Sequence, residues 1–93
     1  MPRRKAQLPL LTLQALAHLT GVPSRLIRRY ESEGLVVARR VVLQGGRTER
    51  LYLRSTVEVV RRIRSYEALG VNLPGIEMIL RLVAQLELVR GAR

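Results

Sequence analysis

The 93-residue chain carries seventeen basic side chains against seven acidic ones, for a formal net charge of +10 and a sequence pI near 11.7. Every basic residue except Lys5 is arginine, whose planar guanidinium suits bidentate contact with phosphates and guanine edges, so a polyanionic partner is expected. The absence of cysteine excludes disulfides and thiolate chemistry; with His18 alone and glutamates scattered singly, no metal centre, cofactor or enzyme activity is expected.

A chain this short forms one small core of modest stability, and a partner subunit often supplements such a core. The start, MPRRKAQLPLLTLQALAHLTG, imitates a secretory signal. Gln7, Thr12, Gln14 and His18 interrupt its apolar run, however, and the apolar residues recur at helical intervals. No segment reaches the ~18 apolar residues of a membrane span. A soluble, cytoplasmic, nucleoid-associated protein with no membrane partner is expected.

In chain order, residues 1–9 form a basic N-terminal arm. Thr12 caps a first helix running to about Leu19, with Leu13, Leu16 and Ala17 on one face, and Gly21 ends it. Pro23 suits the first turn of a second helix, where its missing N–H would be unpaired anyway; that helix extends to about Glu33 and stops at Gly34. Between Leu35 and Leu53 the residues become Val- and Leu-rich with interleaved Arg and turn over at Gly45-Gly46, the pattern of a β-hairpin. Ser55-Thr56-Val57-Glu58 has capping-box spacing and opens a third helix, Thr56 to about Leu69. Val57, Val60 and Ile63 are its core residues, with Tyr66 and Leu69 as further candidates. Asn72 and Pro74 open a fourth helix, Pro74 to Val89.

The first two helices fit a helix-turn-helix: Ala17 permits close approach, Gly21 makes the turn, and Leu16, Val22 and Ile27 hold the pair together. In that arrangement the second helix enters the major groove of double-stranded DNA. Ser24, Arg25, Arg28 and Arg29 lie on the side away from Leu26, Ile27 and Tyr30 and become the base-reading candidates. The hairpin is then a wing on which Arg39, Arg40, Arg47 and Arg50 grip phosphates without reading sequence. The expected fold is mainly α with a small β-hairpin: a winged helix-turn-helix of four helices and a two-stranded wing. The DNA-binding domain spans 10–72, and the apolar C-terminal helix occupies 73–93.

Ile27-Arg28-Arg29-Tyr30-Glu31 followed by Gly34-Leu35 resembles the LRYYE…GL signature of the MerR family of winged-helix regulators, and Arg50-Leu51-Tyr52 resembles its wing motif RRY. Gly70-Val71-Asn72-Leu73-Pro74-Gly75-Ile76 is similar to the GVNLAGI stretch of the heat-shock repressor (HspR) branch of that family. The likeness covers about Leu11 to Leu82. It implies a transcriptional repressor in which Arg28, Tyr30, Arg50 and Tyr52 touch phosphates and Ser24 and Arg25 lie nearest the bases. It also implies an Hsp70-type chaperone as possible corepressor. Two positions depart from the pattern: Leu53 stands where the family has Ser, and Ala38 stands near a family proline.

The last helix points to self-association. Glu77, Arg81 and Gln85 follow one another at intervals of four, leaving the rest of its girth mostly apolar, and such a helix needs covering on more than one side. Ile76, Ile79, Leu80, Val83 and Leu86 are the expected dimerisation residues, with Leu73, Leu82 and Val89 as further apolar surface. A twofold homodimer would present two recognition helices to an inverted repeat. Two alternatives remain: a chaperone-modulator-type interaction module that shares the layout but has no need of the Arg25-Arg28-Arg29 triplet, and an architectural DNA binder that bends the duplex.

Overall fold

The computed structural model describes residues 10–91; the expected basic arm, 1–9, lies outside the described residues. In chain order the elements are β1 (Leu10–Leu11), α1 (Leu13–Thr20), α2 (Ser24–Ser32), β2 (Arg39–Val42), β3 (Thr48–Leu53), α3 (Thr56–Ala68) and α4 (Leu73–Gly91). They fall into two compact units, one ending at Arg61 and the other beginning at Arg62.

In the first unit Thr12 caps α1 as its position suggests, its Oγ1 accepting from the Ala15 N–H at 3.0 Å. The helix stops where Gly21 takes the left-handed conformation, φ 74°, and donates its N–H to the Ala17 carbonyl at 2.8 Å. A side chain there would add strain of about 1–2 kcal/mol. Thr20 reinforces the turn, its hydroxyl donating to the Leu16 carbonyl at 2.8 Å and accepting from the Val22 N–H at 3.2 Å. Pro23 sits one residue outside α2 instead of in its first turn: its ψ of 144° is extended, and its carbonyl accepts from Leu26 and Ile27.

At its far end α2 closes through two backbone bonds, Leu35 N–H to the Tyr30 carbonyl at 2.9 Å and Gly34 N–H to the Glu31 carbonyl at 3.0 Å. This is the Schellman arrangement. Leu16, Val22, Ile27, Tyr30, Val36, Tyr52 and Val60 form the buried core of the unit. Each such large apolar side chain contributes roughly 1.5–3 kcal/mol relative to exposure.

The sheet has three antiparallel strands in the order β1-β3-β2, one more than the expected two-stranded wing. The addition is β1, whose Leu10 and Leu11 pair with Leu53 and Tyr52. Two residues carry too little alternation to show as a strand in the sequence. The hairpin itself matches expectation: Arg39 pairs with Leu51, Arg40 with Arg50, Val41 with Glu49 and Val42 with Thr48. Gly45 and Gly46 turn the tip with φ of 87° and 84°.

In the second unit α3 ends in a Schellman pair of bonds, Gly70 N–H to the Glu67 carbonyl and Val71 N–H to the Tyr66 carbonyl. Leu69 lies in that turn, beyond the helix, which leaves it 78 % exposed instead of in the core. Asn72 Oδ1 accepts from the Gly75 N–H at 2.9 Å, so α4 starts at Leu73, one residue before the expected start. Ile63, Leu73 and Ile76 are buried. Along α4, Met78, Leu82, Leu86 and Val89 are 54–66 % exposed at spacings of four, four and three, a single stripe. Among the described residues no helix is long and apolar enough to cross a membrane.

Candidate nucleic-acid interface

The helical period sorts the side chains of α2. Ile27 and Tyr30, three apart, are fully buried, while Arg25, Arg28 and Arg29 are exposed and Ser24 is half-buried. Arg25, Arg28, Arg29 and Ser32 follow the i, i+3, i+4, i+7 rule of one helix face. They line an open cleft of about 530 Å³, together with Glu31 and Arg50. The expected base-reading arginines therefore share one surface, and Arg50 from the sheet joins them. Ser32, whose hydroxyl donates to the Arg29 carbonyl at 2.8 Å, was not singled out in the sequence although it completes that i+7 spacing.

The other wing arginines are placed differently. Arg39 and Arg40, with Leu10, Val41 and Leu53, line a second cleft of about 680 Å³. Arg47 stands exposed in the loop between β2 and β3. Directly opposite residues of antiparallel strands put their side chains on the same face, so the Arg40–Arg50 pair brings two like charges together at an energetic cost. A polyanion would offset that cost.

Two residues expected at phosphates are core residues. Tyr30 is 0 % exposed and Tyr52 1 %: Tyr30 falls on the buried face of α2 with Ile27, and Tyr52 on the inner end of β3. Tyr52 instead donates its hydroxyl to Glu31 Oε1 at 2.8 Å. Glu31 Oε2 lies 3.7 Å from Arg50 Nη1. Burial, then the hydrogen bond to Glu31, then the Glu31 charge push the Tyr52 phenol up from 10.0 to about 12, against the opposing charges of Arg50 and Arg28. Glu31 has no sequence signal beyond its place in the motif, since nothing in the sequence states that position 31 meets position 52.

The expected dimerisation residues also divide. Ile76 is fully buried, Ile79, Leu80 and Val83 are half-buried, and Leu86 is 60 % exposed. Leu82 and Val89, expected as further apolar surface, and Met78, which was not expected, extend the exposed stripe on which Leu86 lies. Ile76 faces inward with Leu73, three residues earlier on the same side of α4.

No curated protein matches this chain. Residues 11–83, however, match the family described as MerR HTH family regulatory protein, a span holding α1, α2, the whole hairpin, α3 and the first half of α4. With an arginine-lined second helix set behind a glycine turn and flanked by a sheet, the chain belongs to the MerR helix-turn-helix family of DNA-binding transcription regulators.

Proposed function

We propose that this regulator is a sequence-specific repressor of the heat-shock repressor type that binds an inverted repeat of double-stranded DNA as a homodimer. The observation that carries the reading is the cleft in which Arg25, Arg28 and Arg29 of α2 stand beside Arg50 of β3. A helix N-terminal half reads base edges in the major groove, and a flanking cation on a separate element fixes the register on the backbone. Ser24, Arg25, Arg28 and Arg29 read bases in this proposal. Arg50 and, on the wing, Arg39, Arg40 and Arg47 hold phosphates, while Tyr30 and Tyr52 support the helix and strand from within.

The homodimer rests on the exposed stripe Met78, Leu82, Leu86 and Val89. A twofold pairing of α4 through it would cover that surface and give the assembly two copies of α2, one for each half of an inverted repeat. The heat-shock repressor assignment, with an Hsp70-type chaperone as corepressor, rests on the resemblance of Gly70 to Ile76.

Selection of winners from a random duplex library tests the reading. Enrichment of an inverted repeat supports a dimeric regulator, and enrichment of a single half-site removes the dimer. If no duplex is enriched while a J-domain co-chaperone binds, the chaperone-modulator reading takes its place. Bending without base preference, seen as a mobility shift that depends on site position, favours the architectural binder.

A further inference from the structure

Glu31 occupies a position that two independent effects disfavour. It lies in the last turn of α2, the negative end of the helix dipole, where a carboxylate is destabilised. It also lines a cleft whose other charged residues are all arginines, the surface that is to receive phosphates. The first effect opposes a carboxylate in the folded helix, and the second opposes one where a phosphate is to bind. The observed contacts supply the compensation: Oε1 accepts from the Tyr52 hydroxyl at 2.8 Å, and Oε2 faces Arg50 Nη1 at 3.7 Å.

Tyr52 and Arg50 are two residues apart on β3 and share one face of the strand. Since the Tyr52 ring is buried, its hydroxyl is a fixed point from which the carboxylate takes its orientation. The carboxylate in turn holds the guanidinium. At 3.7 Å the second contact is an ion pair longer than a hydrogen bond, so it orients Arg50 without engaging its N–H donors on that oxygen.

The geometry points to Glu31 as a positioning residue: oriented by the Tyr52 hydroxyl, it fixes Arg50 of β3 relative to α2, so that a phosphate and the base edges are met together in one register. This rests on the DNA-binding reading above and adds to it a residue that acts through Arg50 and touches neither base nor phosphate.

The test compares full-length wild type with Glu31→Gln and Tyr52→Phe on two duplexes: the winner of the random selection and a scrambled duplex of the same length and composition. Glu31→Gln removes a negative charge from the cleft, so affinity for the scrambled duplex rises or holds. Affinity for the winner falls because Arg50 loses its restraint, and the ratio of the two drops about tenfold. Tyr52→Phe keeps the ring and the charge but frees the carboxylate, and lowers the ratio about threefold. A variant that only loses stability weakens binding to both duplexes alike and leaves the ratio unchanged.

An unchanged ratio in both variants overturns the inference while leaving the DNA-binding reading intact. The same holds if glutamine loses affinity for both duplexes equally with the wild-type circular dichroism retained. Wild type failing to prefer any duplex overturns the reading and the inference together.

Discussion

Titration of Tyr52 connects the stability of the fold to the contact that braces the cleft. Its phenol is raised from 10.0 to about 12, so the folded state favours the neutral form. The folded-state value exceeds the unfolded one; the stabilisation is therefore complete below pH 10 and is lost as the pH climbs through 12. Two units at 1.36 kcal/mol each give at most about 2.7 kcal/mol, and solvent screening lowers that figure because the Tyr52 hydroxyl meets Glu31 at a part-buried position. That is a large share of the ~5–15 kcal/mol holding a small domain together.

The assay is urea unfolding of wild type and Tyr52→Phe from pH 8 to 12.5 at fixed salt. Below pH 9 wild type is the more stable by about 1 kcal/mol, the net value of a typical intramolecular hydrogen bond. Above pH 10 the gap closes and then inverts, because phenylalanine has no proton to lose. Subtracting the two profiles removes every other titrating group, including the remaining tyrosines. A difference that stays constant to within about 0.5 kcal/mol across the range refutes the account of Tyr52 as a neutral donor clamped between the core and Glu31.

Two arginines separate reading from gripping. Arg25→Ala, at the N-terminal end of α2 and exposed, costs about 1–3 kcal/mol on the preferred duplex and relaxes base choice at one position. Arg47→Ala, in the loop of the hairpin, weakens binding to every sequence alike and flattens the salt slope by about one unit, as titrations at several NaCl concentrations would reveal. Leu86→Glu places a charge in the middle of the exposed stripe of α4. Sedimentation at micromolar concentration is expected to show a dimer for wild type and a monomer for this variant, with the far-ultraviolet spectrum unchanged.

The parts of the fold visible in the sequence are those set by local chemistry. Thr12 and Asn72 are short polar residues ahead of apolar periodicity and cap helices as their positions suggest; Gly21, Gly34, Gly45 and Gly46 carry the turns with positive φ. The arginine face of α2 was equally legible, since spacing alone decides which side of a short helix opposes Ile27. Long-range pairings were not legible. Strand β1 exists because Leu10 and Leu11 meet Leu53 and Tyr52, forty residues on, and no local pattern announces it. The same applies to Glu31 and Tyr52. The motif likeness placed both tyrosines at phosphates, whereas the fold buries their side chains in the core. On α4, where apolar residues occupy most of the girth, the sequence cannot tell the buried face from the free one. Tertiary packing decides it, with Ile76 inward and Met78 outward.

The placement of arginines implies opposite salt responses for stability and binding. Arg25 lies three and four residues from Arg28 and Arg29 on α2, and each like-charge pair of that kind destabilises by about 0.2–0.5 kcal/mol. Arg40 directly opposes Arg50 across the sheet, for roughly 0.2–1 kcal/mol more. In the free protein these repulsions add to the self-repulsion of a +10 chain, and Glu31 offsets only the part it reaches. Raising salt from about 10 mM to 150 mM shortens the screening length from about 30 Å to about 8 Å. Unfolding free energy is therefore expected to increase by about 1 kcal/mol over that range, read as a higher urea midpoint with an unchanged m-value. Affinity for duplex DNA falls over the same range, because each phosphate contact releases counterions against a higher bulk concentration. Both responses arise from the same side chains, so a charge-removing variant such as Arg28→Gln should weaken the salt dependence of stability and of binding together. Stability that decreases with added salt would show that the arginines are already neutralised by neighbours within the fold, and would remove the argument that this surface is built for an anion.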